Sequence, residues 1–477
     1  MKRDYLETPI FSLPPNENGI QHSWKARNAV EGVQIFGGIG SGKTSGSGRT
    51  LALKYLQAGF GGLVLTVKPD EVDLWREYCH LTGRSADLVV IEPDGQEKFN
   101  FLEYESAANK GDIAQNIHQL LQTVINASKD KSGGGSHDPF WEDALDLLLI
   151  NLIDLCLLAK QQVTISDLFN IAQKLPRNKK MQHSSELDKL SKSKQLNDYD
   201  RALDAARDRS EKEPNYNRRL EMINDFFENQ FSVLADKTRS IIDFTLTSFL
   251  SRLMREPIFS LFCDGQSTIN PDHCRQGKII LLNLPVKQYD KVGRDCQIMF
   301  KYIWQRAMER TLANNDQSRV VFLWADEAQN FIHEHDADFQ ATARSSQVAT
   351  VYLTQNLPNY YANMGGAKYR YKTQSFLGTL ATKFFHANAD IETNEYASRL
   401  IGEAEMVKRT HNQDENSESF TYNVEHDKII RPEQFTRLEN GGTANNNLVE
   451  AYAYFQGNVL GDQQSHTLLT FNQQYIP

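Results

Sequence analysis

The octapeptide Gly37-Gly-Ile-Gly-Ser-Gly-Lys43-Thr44 constrains this chain more than any other stretch. It satisfies G-x-x-x-x-G-K-[ST], a loop whose backbone N–H groups curl around phosphate oxygens while the following helix N-terminus adds its dipole. The motif needs a strand before it and a helix behind it. Both are legible: VQIF at 33–36 is a short β-type run, 44–58 suits a helix, and GLVLTV at 62–67 suits the next strand. That order predicts a parallel α/β sheet. The expected nucleotide contacts are Gly37, Gly38, Ile39, Gly40, Ser41, Gly42, Lys43, Thr44 and Ser45. Lys43 would reach the β- and γ-phosphates, and the Thr44 hydroxyl would ligate Mg²⁺. A second Gly-Ser-Gly follows at 46–48. Each glycine there costs a helix about 1 kcal/mol relative to Ala, so the pair reads as close packing or as a tolerant first turn.

A grip on phosphate does not say what is done with it, and the second half of the chain narrows that. Val320-Val-Phe-Leu-Trp-Ala-Asp326-Glu327 is an apolar run ending in two carboxylates. Beside a phosphate loop, the first carboxylate holds Mg²⁺ through water and the second polarises an attacking water. A small-molecule kinase has no use for the second, so the pair favours hydrolysis. The run 349–354 ends at Gln355, a polar group expected beside the γ-phosphate. Arg344, just before that run, is either an arginine finger for a neighbouring subunit's nucleotide or a surface ion-pair partner.

The strand-like runs fall into two blocks. After 87–91 (DLVVI) the periodicity turns helical, with helices expected at 113–125, 141–159, 197–212, 220–229 and 238–254. Strand-like sequence returns at 278–284, 319–325, 349–354 and 382–386. The organisation is therefore an N-terminal segment at 1–30, a nucleotide-binding part at 31–112, an all-α insertion at 113–274 and a second nucleotide-binding part at 275–477. Residues 404–427, rich in Asn, Glu, Asp and Ser, read as an exposed loop.

Composition excludes several classes. Among 477 residues, 40% are apolar and 24% charged, as in an ordinary soluble globular protein. The run 144–159 is interrupted by Asp146, Asn151 and Asp154 and falls short of the roughly 18–20 apolar residues a membrane helix needs. It reads as a buried helix. Five scattered cysteines contain no C-x-x-C pair and read as reduced buried thiols. The net charge of −9 excludes a broadly basic nucleic-acid binder. Locally, however, 174–219 holds 13 Lys/Arg against 8 Asp/Glu, leaving −14 elsewhere. That stretch, with Arg177, Lys179 and Lys180, is either a DNA-facing surface or a solvated helical hairpin. Phe384, Phe385, His386, Tyr360 and Tyr361 suit core packing better than stacking on bases.

Taken together, these segments resemble the conjugative coupling proteins, the TraG/TraD-type ATPases of type IV secretion within the FtsK/HerA translocase superfamily. The resemblance runs from about residue 32 to 442. It is carried by GGIGSGKT, by DPFWEDA at 138–144 opening a leucine-rich helix, and by LLNLP at 281–285. LWADEAQNF at 323–331, ARSSQVATVYLTQNLPNYY at 343–361 and NADIETNEYASRLIG at 388–402 complete it. It implies a RecA-like P-loop NTPase fold, with a parallel-rich central sheet and an inserted all-α domain. It also implies a homo-hexamer that uses ATP and Mg²⁺ to move single- or double-stranded DNA, with a relaxase or secretion-channel proteins as partners. Lys43 and Thr44 match the family's Walker A pair, Asp326 and Glu327 its Walker B pair, Gln355 its sensor and Arg344 its trans arginine.

Two departures stand out. The family usually opens with a pair of transmembrane helices, which this sequence lacks. The expectation is a cytoplasmic form, recruited to the inner membrane by a partner if at all. The family's Asp-Pro-Lys-Gly-Glu segment appears here as Thr66-Val-Lys68-Pro-Asp70. The alternatives to a translocase are a nucleotide-dependent adaptor recruiting protein substrates to a secretion system, and a soluble ATPase of DNA processing or phage defence.

Overall fold

The computed structural model describes residues 5–16, 18–108, 112–128, 139–177, 197–312, 319–364, 370–414 and 417–477. Thirteen strands are named among the described residues: β1 (Pro9–Pro15), β2 (Gln21–Lys25), β3 (Val33–Phe36), β4 (Gly61–Leu65), β5 (Leu88–Ile91), β6 (Ile279–Leu282), β7 (Val321–Ala325), β8 (Val348–Thr354), β9 (Thr382–Phe385), β10 (Glu403–Asp414), β11 (Ser417–Lys428), β12 (Leu448–Phe455) and β13 (His466–Asn472). Nine form one sheet in the order β13-β12-β9-β3-β8-β7-β4-β6-β5. From β9 to β6 every pair is parallel. β12 then pairs antiparallel with β9 and with β13.

The sequence explains this difference in pairing. The central strands, such as VQIF, VFLWA and VATVYLT, are buried along their whole length, as a parallel sheet covered on both faces requires. Strand β12 instead alternates half-exposed and buried residues, the signature of a strand with one wet face. Aromatic rings fill the layers. Trp75 stacks on Phe322 with centroids 5.5 Å apart, and Phe36 on Phe385 at 5.5 Å. Phe384 and Tyr360 are buried in the core, where the Tyr360 hydroxyl donates to Gln34 Oε1 at 2.8 Å.

The chain divides into two compact units. One comprises Met1–Val89, Asp272–Lys287 and Gln305–Pro477, and carries the phosphate loop. The other comprises Val90–Pro271 and Gln288–Trp304. Within the second unit the described elements from Phe101 to Phe262 are all helical. Its longest helix there, Pro139–Lys160, buries Leu148, Leu152 and Cys156. Side-chain caps open two of its neighbours: Thr164 Oγ1 accepts from Asp167 N at 3.0 Å, and Asn197 Oδ1 from Asp200 N at 2.9 Å. Arg239 is 5% exposed, yet its guanidinium donates to the carbonyls of Leu175 and Pro176 and pairs with Asp243 at 3.3 Å. Of the basic stretch, Lys179 and Lys180 lie outside the described residues.

One expectation fails here. Residues 404–427 are not a loop but the antiparallel hairpin β10–β11, in register from Glu403–Lys428 to Asp414–Ser417. Strand β11 does alternate over Phe420, Tyr422 and Val424, but the polar composition around this short run masks the usual strand signal. Cross-strand ion pairs hold the ladder instead: Lys408 reaches Glu425 at 2.7 Å and Asp427 at 3.6 Å. All five cysteines are buried and none forms a disulfide, as expected. No helix among the described residues is long and apolar enough to cross a membrane.

Candidate nucleotide site

The phosphate loop leaves β3 at its C-terminal edge, the end of a parallel sheet where ligands bind. It is tethered by two backbone bonds, Gly37 N–H to Thr354 O at 3.2 Å and Gly38 N–H to Ala387 O at 2.9 Å. Gly40 and Gly42 take φ of 70° and 78°, which only glycine adopts without strain. A Cβ on Gly37 would lie 2.4 Å from Ser41 Oγ, a buried hydroxyl with no hydrogen-bond partner. The loop then runs into one π-helical turn at Thr44–Gly48, closed by Gly48 N–H on Lys43 O at 2.9 Å, before the helix Arg49–Gln57. The second Gly-Ser-Gly is thereby explained as packing. A Cβ on Gly46 would meet Val449 at 3.0 Å, and one on Gly48 would meet the Lys43 carbonyl at 2.9 Å.

Strands β7 and β8 deliver the other half of the site. Thr44 Oγ1 donates to Asp326 Oδ2 at 2.8 Å, and Lys43 Nζ lies 3.5 Å from Glu327 Oε1. Gln355 Nε2 donates to the same Glu327 oxygen at 3.2 Å, and Gln329 Nε2 to the other at 2.9 Å. Burial opposes ionisation of Glu327, but Lys43, Gln329 and Gln355 outweigh it and hold the carboxyl below its usual range. Glu327 therefore stays an anion, able to accept a proton. Its backbone is left-handed, with φ 49° and ψ 49°, and its N–H is satisfied by Asp326 Oδ1 at 2.9 Å. Such strain in a non-glycine residue persists only where surrounding contacts enforce it. The hard oxygens of Thr44 and Asp326, brought together over glycine-lined backbone, are a donor set suited to Mg²⁺.

Residues 12–442 match the model of a family described as type IV secretory system conjugative DNA transfer. The chain belongs to this family. No curated protein gives a significant match. Among solved structures, the bacterial conjugative coupling protein TrwBΔN70 in its unbound form aligns with a TM-score of 0.61 at 13% identity. The alignment covers 100% of this chain and 90% of that one. TrwB with the GTP analogue GDPNP and TrwB with ADP and Mg²⁺ each give 0.61 at 14% identity, covering 100% and 91%. The likeness is one of fold: a RecA-like, mostly parallel sheet flanked by helices.

Besides Gln329, two residues of this family member join the site without having been singled out for it. Lys68, on the loop after β4, lies 3.9 Å from Asp326 Oδ2. Its burial is outweighed by Asp326, Glu71 and Glu327, which raise its pKa. Glu71 accepts from Val67 N at 3.0 Å and Lys68 N at 3.4 Å, shaping that loop. Burial first, and Asp326 second, push its carboxyl up to about 8. The sequence signal was the departure Thr66-Val-Lys68-Pro-Asp70, where the acid lies one place beyond the quoted segment, at Glu71.

Arg344 is not part of this cluster. It precedes β8, at the opposite edge of the sheet from the phosphate loop, is 70% exposed and pairs with Glu31 at 3.3 Å. His386 at the end of β9 is buried beneath the loop. Its Nε2 lies 2.7 Å from Ser47 Oγ and its Nδ1 2.9 Å from Glu450 O. Burial drives its pKa down to about 3, so it is a neutral structural bridge.

Proposed function

We propose that the chain is an ATP-hydrolysing DNA translocase of coupling-protein type, working as a homo-hexameric ring. The observation that carries this reading is the convergence of Lys43, Gln355 and Gln329 on Glu327, beside the Thr44–Asp326 pair. In this reading Gly37–Ser45 bind the phosphates through backbone N–H groups, and Lys43 neutralises the β- and γ-phosphates. Thr44 would hold Mg²⁺ directly and Asp326 through water; a bound ion would polarise the transferring phosphoryl group. Glu327 accepts the proton of a water whose oxygen attacks the γ-phosphorus as the bond to ADP breaks. Gln355, touching Glu327 from β8, reports whether the γ-phosphate is present.

The nucleotide complexes of TrwB support ATP and Mg²⁺ as cofactors. Membership of the DNA-transfer family supports DNA as the cargo and a relaxase or secretion-channel component as partner. The exposure of Arg344, away from its own chain's phosphate loop, suits a finger donated to the neighbouring subunit. The protein would work in the cytoplasm, drawn to the inner membrane by such a partner.

The test is ATP hydrolysis with and without DNA across a salt series. Hydrolysis should rise with DNA and the stimulation should fall steeply with salt, as phosphate contacts are screened. Glu327→Gln should keep nucleotide binding and lose hydrolysis by roughly 10²–10⁴-fold, the usual worth of a general base. Hydrolysis indifferent to DNA at every salt concentration would refute the translocase. A Glu327→Gln protein that still delivers protein cargo at the wild-type rate would favour the recruitment adaptor instead.

A further inference from the structure

The sheet order gives the phosphate loop two sides. On one, β8 and β7 bring Gln355, Asp326 and Glu327. On the other, β9, β12 and β13 bring a C-terminal segment against the start of the phosphate-loop helix. Val449 of β12 lies against Gly42 and Gly46, and the carbonyl of Asn440 comes within 3.3 Å of where a Gly42 Cβ would be. Gln473, just after β13, donates through Nε2 to Ser45 Oγ at 2.6 Å and accepts through Oε1 from Gly442 N–H at 2.7 Å. The loop 439–447 is thus fastened to Ser45. Its own geometry is fixed: Gly441 and Gly442 take φ of 84° and 73°, and Asn447 N–H returns to Gly442 O at 2.7 Å. The φ of Gly441 favours glycine, and a Cβ there would lie 2.3 Å from Gln473 Oε1 and push the amide off its contacts.

A nucleotide lying on this loop has a direction. Its γ-phosphate must face the carboxylates, because Lys43 and Thr44 already point there. The α-phosphate, cradled by the backbone beyond Thr44, then leads away from β7, toward Ser45 and what is attached to it. We infer that the loop 439–447, braced by Gln473, is the wall that meets the ribose and base of the bound nucleotide. Its chemistry suits a nucleoside. Asn440 is exposed, and Asn445 Nδ2 donates to Asn440 Oδ1 at 3.1 Å. This pairing leaves the amide donors of Asn440 available for ring nitrogens or ribose hydroxyls. The wall adds affinity through the nucleoside and none through the phosphates.

The inference rests on the phosphate loop being a nucleotide site, and calorimetry separates the two. ADP and inorganic pyrophosphate are titrated, each with Mg²⁺, into wild type, Gln473→Ala, Asn440→Ala and Lys43→Ala. Wild type should bind ADP more tightly than pyrophosphate. Gln473→Ala and Asn440→Ala should each weaken ADP roughly tenfold, the worth of one or two hydrogen bonds, with pyrophosphate unchanged. Lys43→Ala should weaken both. Equal weakening of both ligands by Gln473→Ala would make Gln473 a brace of the phosphate loop only, and would overturn the nucleoside wall, as would no change in either variant. Wild type binding neither ligand would remove the nucleotide site itself and this wall with it. Because Asn440 is exposed, its variant keeps the test decisive should Gln473→Ala fail to fold.

Discussion

Gly46→Ala tests whether the second Gly-Ser-Gly is packing or mere slack. In a tolerant helical turn this change should stabilise by about 1 kcal/mol, the difference in helix propensity. Here an added Cβ would sit 3.0 Å from Val449 Cβ and 3.1 Å from its Cγ1. Those distances are a few tenths of an ångström too short, and Val449 is 0% exposed in β12, held between Phe471 of β13 and a bridge to Asn440. It has nowhere to retreat without moving the strand. Overpacking of that kind costs about 1–3 kcal/mol. The two effects oppose each other and packing wins, so Gly46→Ala should destabilise by up to about 2 kcal/mol.

The partner substitution makes the reasoning sharp. Val449→Ala alone removes two methyl groups from a buried site and should cost about 2 kcal/mol in transfer and cavity terms. In the double variant the methyl group added at position 46 occupies the space that Val449 gave up. Overpacking vanishes and the propensity gain survives. The pair should therefore couple favourably by about 1–3 kcal/mol in a double-mutant cycle. Urea unfolding of the four proteins measures it. A stabilised Gly46→Ala whose effect simply adds to that of Val449→Ala would show that the turn is loose.

Three further outcomes follow from buried ionisable groups of the same unit. The Glu71 carboxyl is pushed from 4.5 to about 8, so the native state binds its proton more tightly and stability falls as pH rises between those values. Glu71→Gln should gain on wild type in urea midpoint from pH 5 to 8.5, and a difference independent of pH would refute this. His386 titrates the other way: with its pKa lowered from 6.5 to about 3, stability falls as pH drops below 6.5. His386→Gln should lose less midpoint than wild type between pH 7 and 4. Lys383, 3% exposed on β9 and lowered by burial to about 8, makes the native state bind its proton less tightly, so stability rises from pH 8 to 10.5. Lys383→Met should be neutral or stabilising at pH 7, its advantage shrinking above pH 8 in the same measurement.

The parts of the fold that sequence made legible share one property: they are governed by a single strong local term. Apolar runs such as IILL and VFLWA, four or five residues long, are too short for a buried helix and suit central strands covered on both faces. The expected helices of the second unit follow their 3.6-residue periodicity, and Asn197 caps the one expected from that residue. Strands β10 and β11 offered only a weak one, a short alternation amid polar residues. In β10 and β11 the stabilising contacts are cross-strand, as between Lys408 and Glu425, and no window along one strand contains them.

The same distinction runs through the site. Gly37–Thr44 and Asp326–Glu327 are contiguous motifs whose residues must sit side by side to act, so their chemistry is written in their spacing. Lys68 and Gln473 act through partners 258 and 428 residues away along the chain. Their roles come from the order in which parallel strands stack, β3 beside β8 beside β7 beside β4 on one side, β9 and β12 on the other. That order is a long-range packing result, and it decides which ends of the chain meet the nucleotide. A site built from strand termini should accordingly depend on residues that no motif contains. The loop 439–447 is the clearest instance: it touches the phosphate loop only because β12 turns antiparallel against β9 and returns the chain to the edge where the glycines lie.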